Sequence, residues 1–318
     1  MTNSTLSMQP PVSEKRRELI DVRRFARWLV RRQSWLIAFL IINILIALSI
    51  ISNVILSEAW NYIAPGIRTS LEITLISFFI SLVVGVLVAL MRVSKNAFIY
   101  NVSTLYVELF RGLPLLVIIL VFNFVIVPGL VEFISGTQDT VDASGNTVPG
   151  RPAITFIDDM LQRFVGVNPE IIETTTLRSR DIDEKWRIIL AFAVTYGAFM
   201  SEVFRAGIES IGRGQMEAAR SLGMNYFQAM RYIILPQAVR NILPALGNNF
   251  ILLLKDTSLA SAVAVPEVTY LTRQYSSNRF RYPEGLLVLS FIYANLTIFL
   301  ALGVNVLEHF LHADRREG

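Results

Sequence analysis

Between Trp35 and Leu56 the chain reads WLIAFLIINILIALSIISNVIL, without one charged side chain. Crossing the hydrocarbon core of a bilayer takes about 20 residues of α-helix. In water a run of this length and purity would expose its whole apolar circumference, so it is a membrane span. Comparable runs recur at 70–91, 113–134, 188–207, 242–265 and 286–308. Inside a bilayer each backbone N–H and C=O needs a partner, and a run of about 20 residues supplies its own as a helix. The expected fold is therefore an all-α integral membrane protein with six transmembrane helices.

Composition agrees where it bears on this. Charged residues make up 17% of the chain, against about a quarter in soluble domains, and the mean hydropathy is +0.51. The first apolar run opens only after a basic tail and is too long for the core of a cleavable signal peptide. The absence of cysteine excludes disulfides, thiolate metal sites and cysteine nucleophiles. The two histidines, His309 and His312, sit together beside the C-terminus, a poor basis for a metal centre or a catalytic triad.

Lysine and arginine in the connections set the orientation. The tail 1–34 carries Lys15, Arg16, Arg17, Arg23, Arg24, Arg27, Arg31 and Arg32, whereas the connection after the first span has only Arg68. Arg92, Lys95 and Arg111 in 92–112, and Arg213, Arg220, Arg231 and Arg240 in 208–241, put those connections on the side of the tail. Both termini are then cytoplasmic, with 309–318 a second short tail. The loop 266–284, with Arg273, Arg279 and Arg281, falls outside and runs against the rule. A basic tail of this kind also suits contact with membrane lipid.

Residues 135–187 are polar, rich in turn residues and longer than a connection needs. This extracellular or periplasmic insertion contains FIDDMLQRFV (156–165), with helical spacing, and IIETTTLRS (171–179), which is strand-prone. Two readings stand open, a small folded cap and a tolerated insertion.

The stretch EAARSLGMNYFQAMRYIILPQA (217–238) is a polar island between spans. EAARSL is made of strong helix formers, and Gly223 is placed as the left-handed residue that ends a helix. A second helical stretch starts at Asn225, with Phe227, Met230, Ile233 and Ile234 on one face, and Pro236 breaks or kinks it. The physics alone admits an amphipathic surface helix lying on the bilayer or a compact helix–turn–helix knob.

The spacing of Glu217, Ala218, Ala219, Gly223, Ile233, Leu235 and Pro236 resembles the cytoplasmic signature of ABC importer permeases: E-A-A, three residues, Gly, nine residues, I-x-L-P. YGAFMSEVFRAGIESIGRGQMEAARSLG, LPQAVRNILPALGNNFILLLKDTSL and YVELFRGLPLLV (106–117) are similar to the polar-amino-acid branch of that family. The resemblance covers about 66–130 and 188–308, a five-helix permease core within 66–134 and 188–308. It leaves the extra span 35–57 and the 135–187 insertion outside.

The resemblance implies a type I importer permease in the bacterial plasma (inner) membrane. Its 208–241 loop would be a coupling helix docked on a separate ABC ATPase dimer. Glu217 would pair with a basic group there, Ala218 and Ala219 would permit close approach, and Gly223 would supply the turn. A second permease subunit, identical or homologous, and an extracellular solute-binding protein would complete the assembly, with an amino acid as substrate. ATP and Mg²⁺ would sit on the ATPase. No G-x-x-x-x-G-K-[ST] phosphate loop occurs in this chain, and neither nucleic-acid binding nor bond chemistry of its own is implied.

Lys255 and Asp256 lie inside the fifth apolar run. A charge at mid-bilayer costs about 2.5–3.5 kcal/mol and faces a cavity or a partner. At 1.5 Å per residue from Ile242, Asp256 lies about 20 Å in. Asn249 and Asp256 share one side of the helix, and Asn248 and Lys255 an adjacent one. With Thr257 and Ser258 they form a candidate substrate pathway, joined by Glu72 from the second run. The alternative is that Lys255 and Asp256 only pair with other spans to hold the bundle, and that Glu72 is simply solvated. Glu202 and Arg205 are spaced to pair with each other, Arg111 suits an anchor or interface, and Gly85, Ala89, Ala191, Ala193, Gly197 and Ala198 suit close helix packing.

Competing readings are a secondary transporter or channel independent of ATP, a membrane enzyme, and a permease for another small solute. The first has no use for the 217–238 pattern, and the second lacks a cluster of catalytic polar residues.

Overall fold

The computed structural model describes residues 34–135, 140–141, 147–148 and 182–313. The chain divides into two compact units, Met1–Ser57 and Glu58–Gly318. In the first unit, α1 (Ser34–Ser52) is the uncharged run, exposed along most of its length. It stops at Asn53, whose Oδ1 accepts the Ile55 N–H at 2.9 Å and so starts α2 (Val54–Ile63).

The second unit is a helical bundle built on α3 (Gly66–Arg92) and α7 (Glu184–Glu209). On α3 the buried positions Ser70, Thr74, Ser77, Ser81, Gly85 and Ala89 follow helical spacing and carry small side chains, with Ser77 and Gly85 meeting Ile189 and Met200 of α7. Two glycines set the distance of approach. A Cβ on Gly85 would stand 2.8 Å from Met200 Cβ, and one on Gly197 would stand 2.5 Å from Val84 Cγ1. Ala191, Ala193 and Ala198 are buried in the same interior, so the packing role expected of these residues holds. Small residues drive association here because apolar side chains gain nothing by leaving lipid for protein. The hydrophobic core gathers Ile73, Ile119, Phe122, Ile189, Phe192 and Leu253.

The connection expected over 92–112 is mostly a helix, α4 (Ala97–Gly112), whose Asn96 side chain caps it by accepting the Phe98 N–H. It continues into α5 (Leu115–Val121), a π turn (Phe122–Ile126) and α6 (Val127–Ser135), after a bend of 109°. The bend falls at Leu113, which is extended because a following proline disfavours the helical conformation. Tyr106 on α4 donates its hydroxyl to Val194 O, holding the arm to α7.

Past α7 come α8 (Arg213–Ser221), α9 (Tyr226–Ala229), a π turn (Met230–Ile234) and α10 (Leu235–Asp256). A 3₁₀ segment (Thr257–Val263), α11 (Val268–Arg279) and α12 (Tyr282–Ala313) complete the chain. Most of the expected 135–187 insertion, including 156–165 and 171–179, lies outside the described residues. What is described is a two-residue ladder, Thr140–Val141 against Thr147–Val148, and the start of α7. That helix begins at Glu184, with the Asp183 carboxylate accepting the Lys185 N–H. Helical structure thus begins three residues before 187.

Among the described residues, four helical stretches are long and apolar enough to cross a membrane: Trp35–Ser52, Val54–Arg92, Glu184–Glu209 and Tyr282–Leu311. The bent pair, counted as one span, makes five. The fifth expected span, 242–265, is not in this set: its helix α10 carries Pro244, Asn248, Asn249, Lys255 and Asp256, and then tightens to 3₁₀. The loop expected over 266–284 is largely α11. Two of its three arginines have partners: Arg279 pairs with Glu58 at 2.8 Å and Arg273 donates to Ser261 O.

Candidate functional site

The segment 217–238 folds as a capped knob. α8 ends in a Schellman motif. The Met224 N–H reaches Ala219 O at 3.1 Å and the Gly223 N–H reaches Arg220 O at 2.9 Å, with Gly223 left-handed at φ 80. The next helix starts with a reciprocal capping box, in which Asn225 Oδ1 accepts the Gln228 N–H and Gln228 Oε1 accepts the Asn225 N–H, each at 2.9 Å. Two capped ends separated by one residue leave little freedom in the turn.

Glu217 and Ala218 face solvent, while Ala219 is buried. The small size of Ala219 therefore serves packing inside this chain, and only Ala218 offers a close approach to something outside. Ile233 is half-buried and Leu235 and Pro236 are exposed. Pro236 neither breaks nor ends the helix, because it falls in the first turn of α10, where a missing N–H is tolerated. Gln237 Nε2 adds a bond to Ile233 O at 2.9 Å. Phe227 leaves the apolar face expected for it and is 82% exposed, as is Leu222 at 80%. The reason is the phase change at the π turn: α9 is only four residues long, so the stripe of Ile234 and Ala238 does not extend back to Phe227. Two large apolar side chains thus stand in the open beside Glu217.

At the other end of α10, Tyr196 on α7 donates its hydroxyl to Asp256 Oδ2 at 2.7 Å. Tyr196 is buried and Asp256 half-buried. Asn249 is half-buried on the same side as Asp256, and its Nδ2 is enclosed without an acceptor among the described residues. Asn248 and Lys255 are exposed. Thr257 is buried with its hydroxyl donating to Leu254 O at 2.7 Å, and Ser258 is half-buried. Glu72 is not gathered to these groups. It pairs with Arg68 at 2.7 Å and Lys185 at 3.3 Å. Glu202 and Arg205 pair as their spacing implies, and the guanidinium of Arg92 joins the same carboxylate from α3. Arg111 lies over the Phe199 ring, 5.9 Å from its centroid.

Two residues of this region carry no local motif, Tyr196 and Glu267. Glu267 is fully buried in the turn between the 3₁₀ segment and α11. Its carboxylate caps α11 by accepting the Tyr270 N–H at 2.7 Å and the Thr269 N–H at 2.8 Å, and it also accepts the Tyr293 hydroxyl at 3.2 Å. Burial pushes its carboxyl up to about 7 against these bonds. The only sequence signal for either residue is a polar group where the pattern asks for an apolar one.

A many-spanning helical membrane protein with no nucleotide loop, a rigid exposed knob and a polar helix end inside the bundle has the parts of a transport subunit. The model of the binding-protein-dependent transport system inner membrane component family matches residues 81–317, and the chain belongs to that family. It is a transport component rather than an enzyme, a multi-pass protein of the inner membrane. The nopaline transport system permease protein NocM of Agrobacterium fabrum is 33% identical over 260 residues, 81% of this chain and 91% of that one. The probable glutamine ABC transporter permease protein GlnM of Bacillus subtilis is 32% identical over 254 residues, 80% of this chain and 95% of that one. Among solved structures, a chain of an amino acid ABC transporter crystallised with histidines aligns at TM-score 0.60 and 28% identity, covering 80% of this chain and 95% of its own. A chain of the inward-facing MetNI methionine ABC transporter, at 18% identity, shares the fold with TM-score 0.54 over 79% of this chain and 96% of its own. The all-α, type I importer permease fold is the one these neighbours share.

Proposed function

We propose that this chain is the permease subunit of an ATP-driven, binding-protein-dependent importer of polar amino acids, with both termini in the cytoplasm. The observation that carries the reading is the knob: Glu217 and Ala218 stand exposed on a helix stopped by Gly223, beside the exposed Leu222 and Phe227. Such a surface suits a rigid insertion into a groove, because its shape is set before contact and little conformational entropy is lost on docking. The partner in this reading is an ABC ATPase dimer that binds ATP and Mg²⁺. A second permease subunit, identical or homologous, lines the pathway with this one, and an extracellular solute-binding protein delivers the substrate. The amino-acid assignment draws on the relatives' names, nopaline and glutamine transport permeases among them.

In the mechanism that follows, closure of the ATPase dimer moves the knob, and the π turn passes that motion to α10 as one rod. The far end of the rod bears Asn249 and Asp256, with Asn248, Lys255, Thr257 and Ser258 around them, and Glu72 stands at the outer end of α3. Displacing α10 opens the path on one side and closes it on the other.

The test is Glu217→Lys in the assembled transporter, reading uptake and substrate-stimulated ATPase together. Loss of both with normal membrane insertion is expected; unchanged uptake would sink the coupling assignment. An ATPase assay against an amino-acid panel tests the substrate class, and stimulation only by some other small solute overturns it.

A further inference from the structure

A cavity of about 350 Å³ lies between the ends of α3 and α7 and the start of α10. Val86 and Leu90 of α3, Ile208 of α7, and Val239 and Leu243 of α10 form its walls. Leu90 is 65% exposed and Val239 47%, so the cavity opens sideways as a cleft. Among the described residues its charged lining groups are Arg205 and Glu209, in the last two turns of α7.

Depth and charge together say what fits. Arg92 and Glu209 are the last residues of two candidate membrane spans, so the cleft lies where acyl chains give way to head groups. Apolar walls at that depth are covered by hydrocarbon at little cost, whereas water there leaves them unsatisfied. The rim is balanced in sign. Glu202 is shared by Arg92 and Arg205, and Arg205 also holds Glu209 Oε2 at 2.5 Å. Glu209 is the more open carboxylate, with its side chain 62% exposed. An anionic head group meets Glu209 at this rim. A zwitterionic one with a primary ammonium finds a guanidinium for its phosphate and a carboxylate to accept its N–H, which a quaternary ammonium lacks.

We propose that this cleft is a binding site for a zwitterionic phospholipid with a primary ammonium, phosphatidylethanolamine rather than phosphatidylcholine, with one acyl chain inserted between α3, α7 and α10. Val239 lies one helical turn past Leu235, at the join between the knob and α10. A chain seated there wedges the start of α10, which makes the movement of this helix dependent on lipid. The site is independent of which solute the protein carries.

The test uses the full-length chain with its accompanying subunits in phosphatidylcholine nanodiscs, titrated with phosphatidylethanolamine that carries brominated acyl chains. Fluorescence of Val239→Trp, corrected for the parent chain, is expected to quench saturably at low mole fraction of brominated lipid. Adding Glu209→Gln is expected to raise the half-saturating fraction about tenfold, the effect of one charge-assisted bond. Brominated phosphatidylglycerol should quench less at equal fraction. If Val239→Trp fails to insert, Val239→Cys supplies the same readout through an attached fluorophore, since the chain has no other cysteine. Quenching that rises linearly with bulk lipid, unchanged by Glu209→Gln, overturns the proposal. So does spontaneous disulfide dimerisation of Val239→Cys, which assigns the cleft to an interface between two copies of this chain.

Discussion

The hydroxyl of Tyr196 donates to the carboxylate of Asp256 at 2.7 Å, joining the middle of α7 to the last residue of α10. The two residues are 60 apart in sequence, and both elements border the core. The bond fixes the direction in which the Asp256 carboxylate points, because an acceptor enclosed with one donor has few alternative orientations. Removing that donor while keeping the ring, in Tyr196→Phe, should cost about 1–3 kcal/mol at this site. The expected outcome is uptake reduced about tenfold with normal assembly. Asp256→Asn should behave the same way, since an amide oxygen still accepts the bond but the charge is gone. Uptake kinetics measured for several amino acids check both; normal kinetics in Asp256→Asn remove that residue from the pathway.

Gly223 is left-handed at φ 80, and a Cβ built there meets no neighbour within 4 Å. Any defect in Gly223→Ala is therefore conformational rather than steric, about 1 kcal/mol for a left-handed alanine. Substrate-stimulated ATPase activity should fall, while the affinity of the outer face for its binding protein stays the same. A β-branched residue at 223 should be worse than alanine.

The contact of Gly197 with Val84 leaves no room for a side chain. Gly197→Leu should separate α3 from α7 and lower the yield of folded protein, by roughly 1–3 kcal/mol or more for overpacking. Pairing it with Val84→Ala should restore part of the loss. Melting temperature in detergent reads both variants, and additive effects would show that the two residues do not touch.

Glu267 lies outside the membrane spans, and its folded carboxyl is raised from 4.5 to about 7. The folded protein thus holds this proton more tightly than the unfolded chain does. The resulting stability is complete below about pH 4.5 and is lost as pH rises towards about 7. A shift of that size corresponds to about 3 kcal/mol at most. Thermal melting between these limits should fall with rising pH, and Glu267→Gln should flatten the curve while keeping an acceptor for the Thr269 N–H. An unchanged slope in the variant assigns the pH dependence to another group.

Much of the molecule is legible in its residues. The uncharged runs announce spans because lipid tolerates little else, and the Glu217 to Pro236 spacing marks a knob because Gly223 and Asn225 are read locally. The stripe of small residues on α3 is likewise visible as a helical repeat. Other features are not. Helix α4 looks like a connection because it carries polar and charged residues along one face. The π turns at Phe122 and Met230 have no sequence signature of their own, and the second of them displaces Phe227 from its expected face. Ala218 and Ala219 are the same residue type on the same helix, and only packing sends one outward and the other inward.

The division follows from the range of the forces. Partition between water and lipid, helix capping and the conformational needs of glycine and proline act within one segment, so composition and spacing determined the class of protein, most of its apolar helices and the shape of its knob. Which carboxylate meets which hydroxyl depends on how two distant helices lie against each other, and that is set by side-chain volumes such as those at Gly85 and Gly197. The meeting of Tyr196 with Asp256, the burial of Glu267 and the cleft beside α10 were decided by tertiary structure alone.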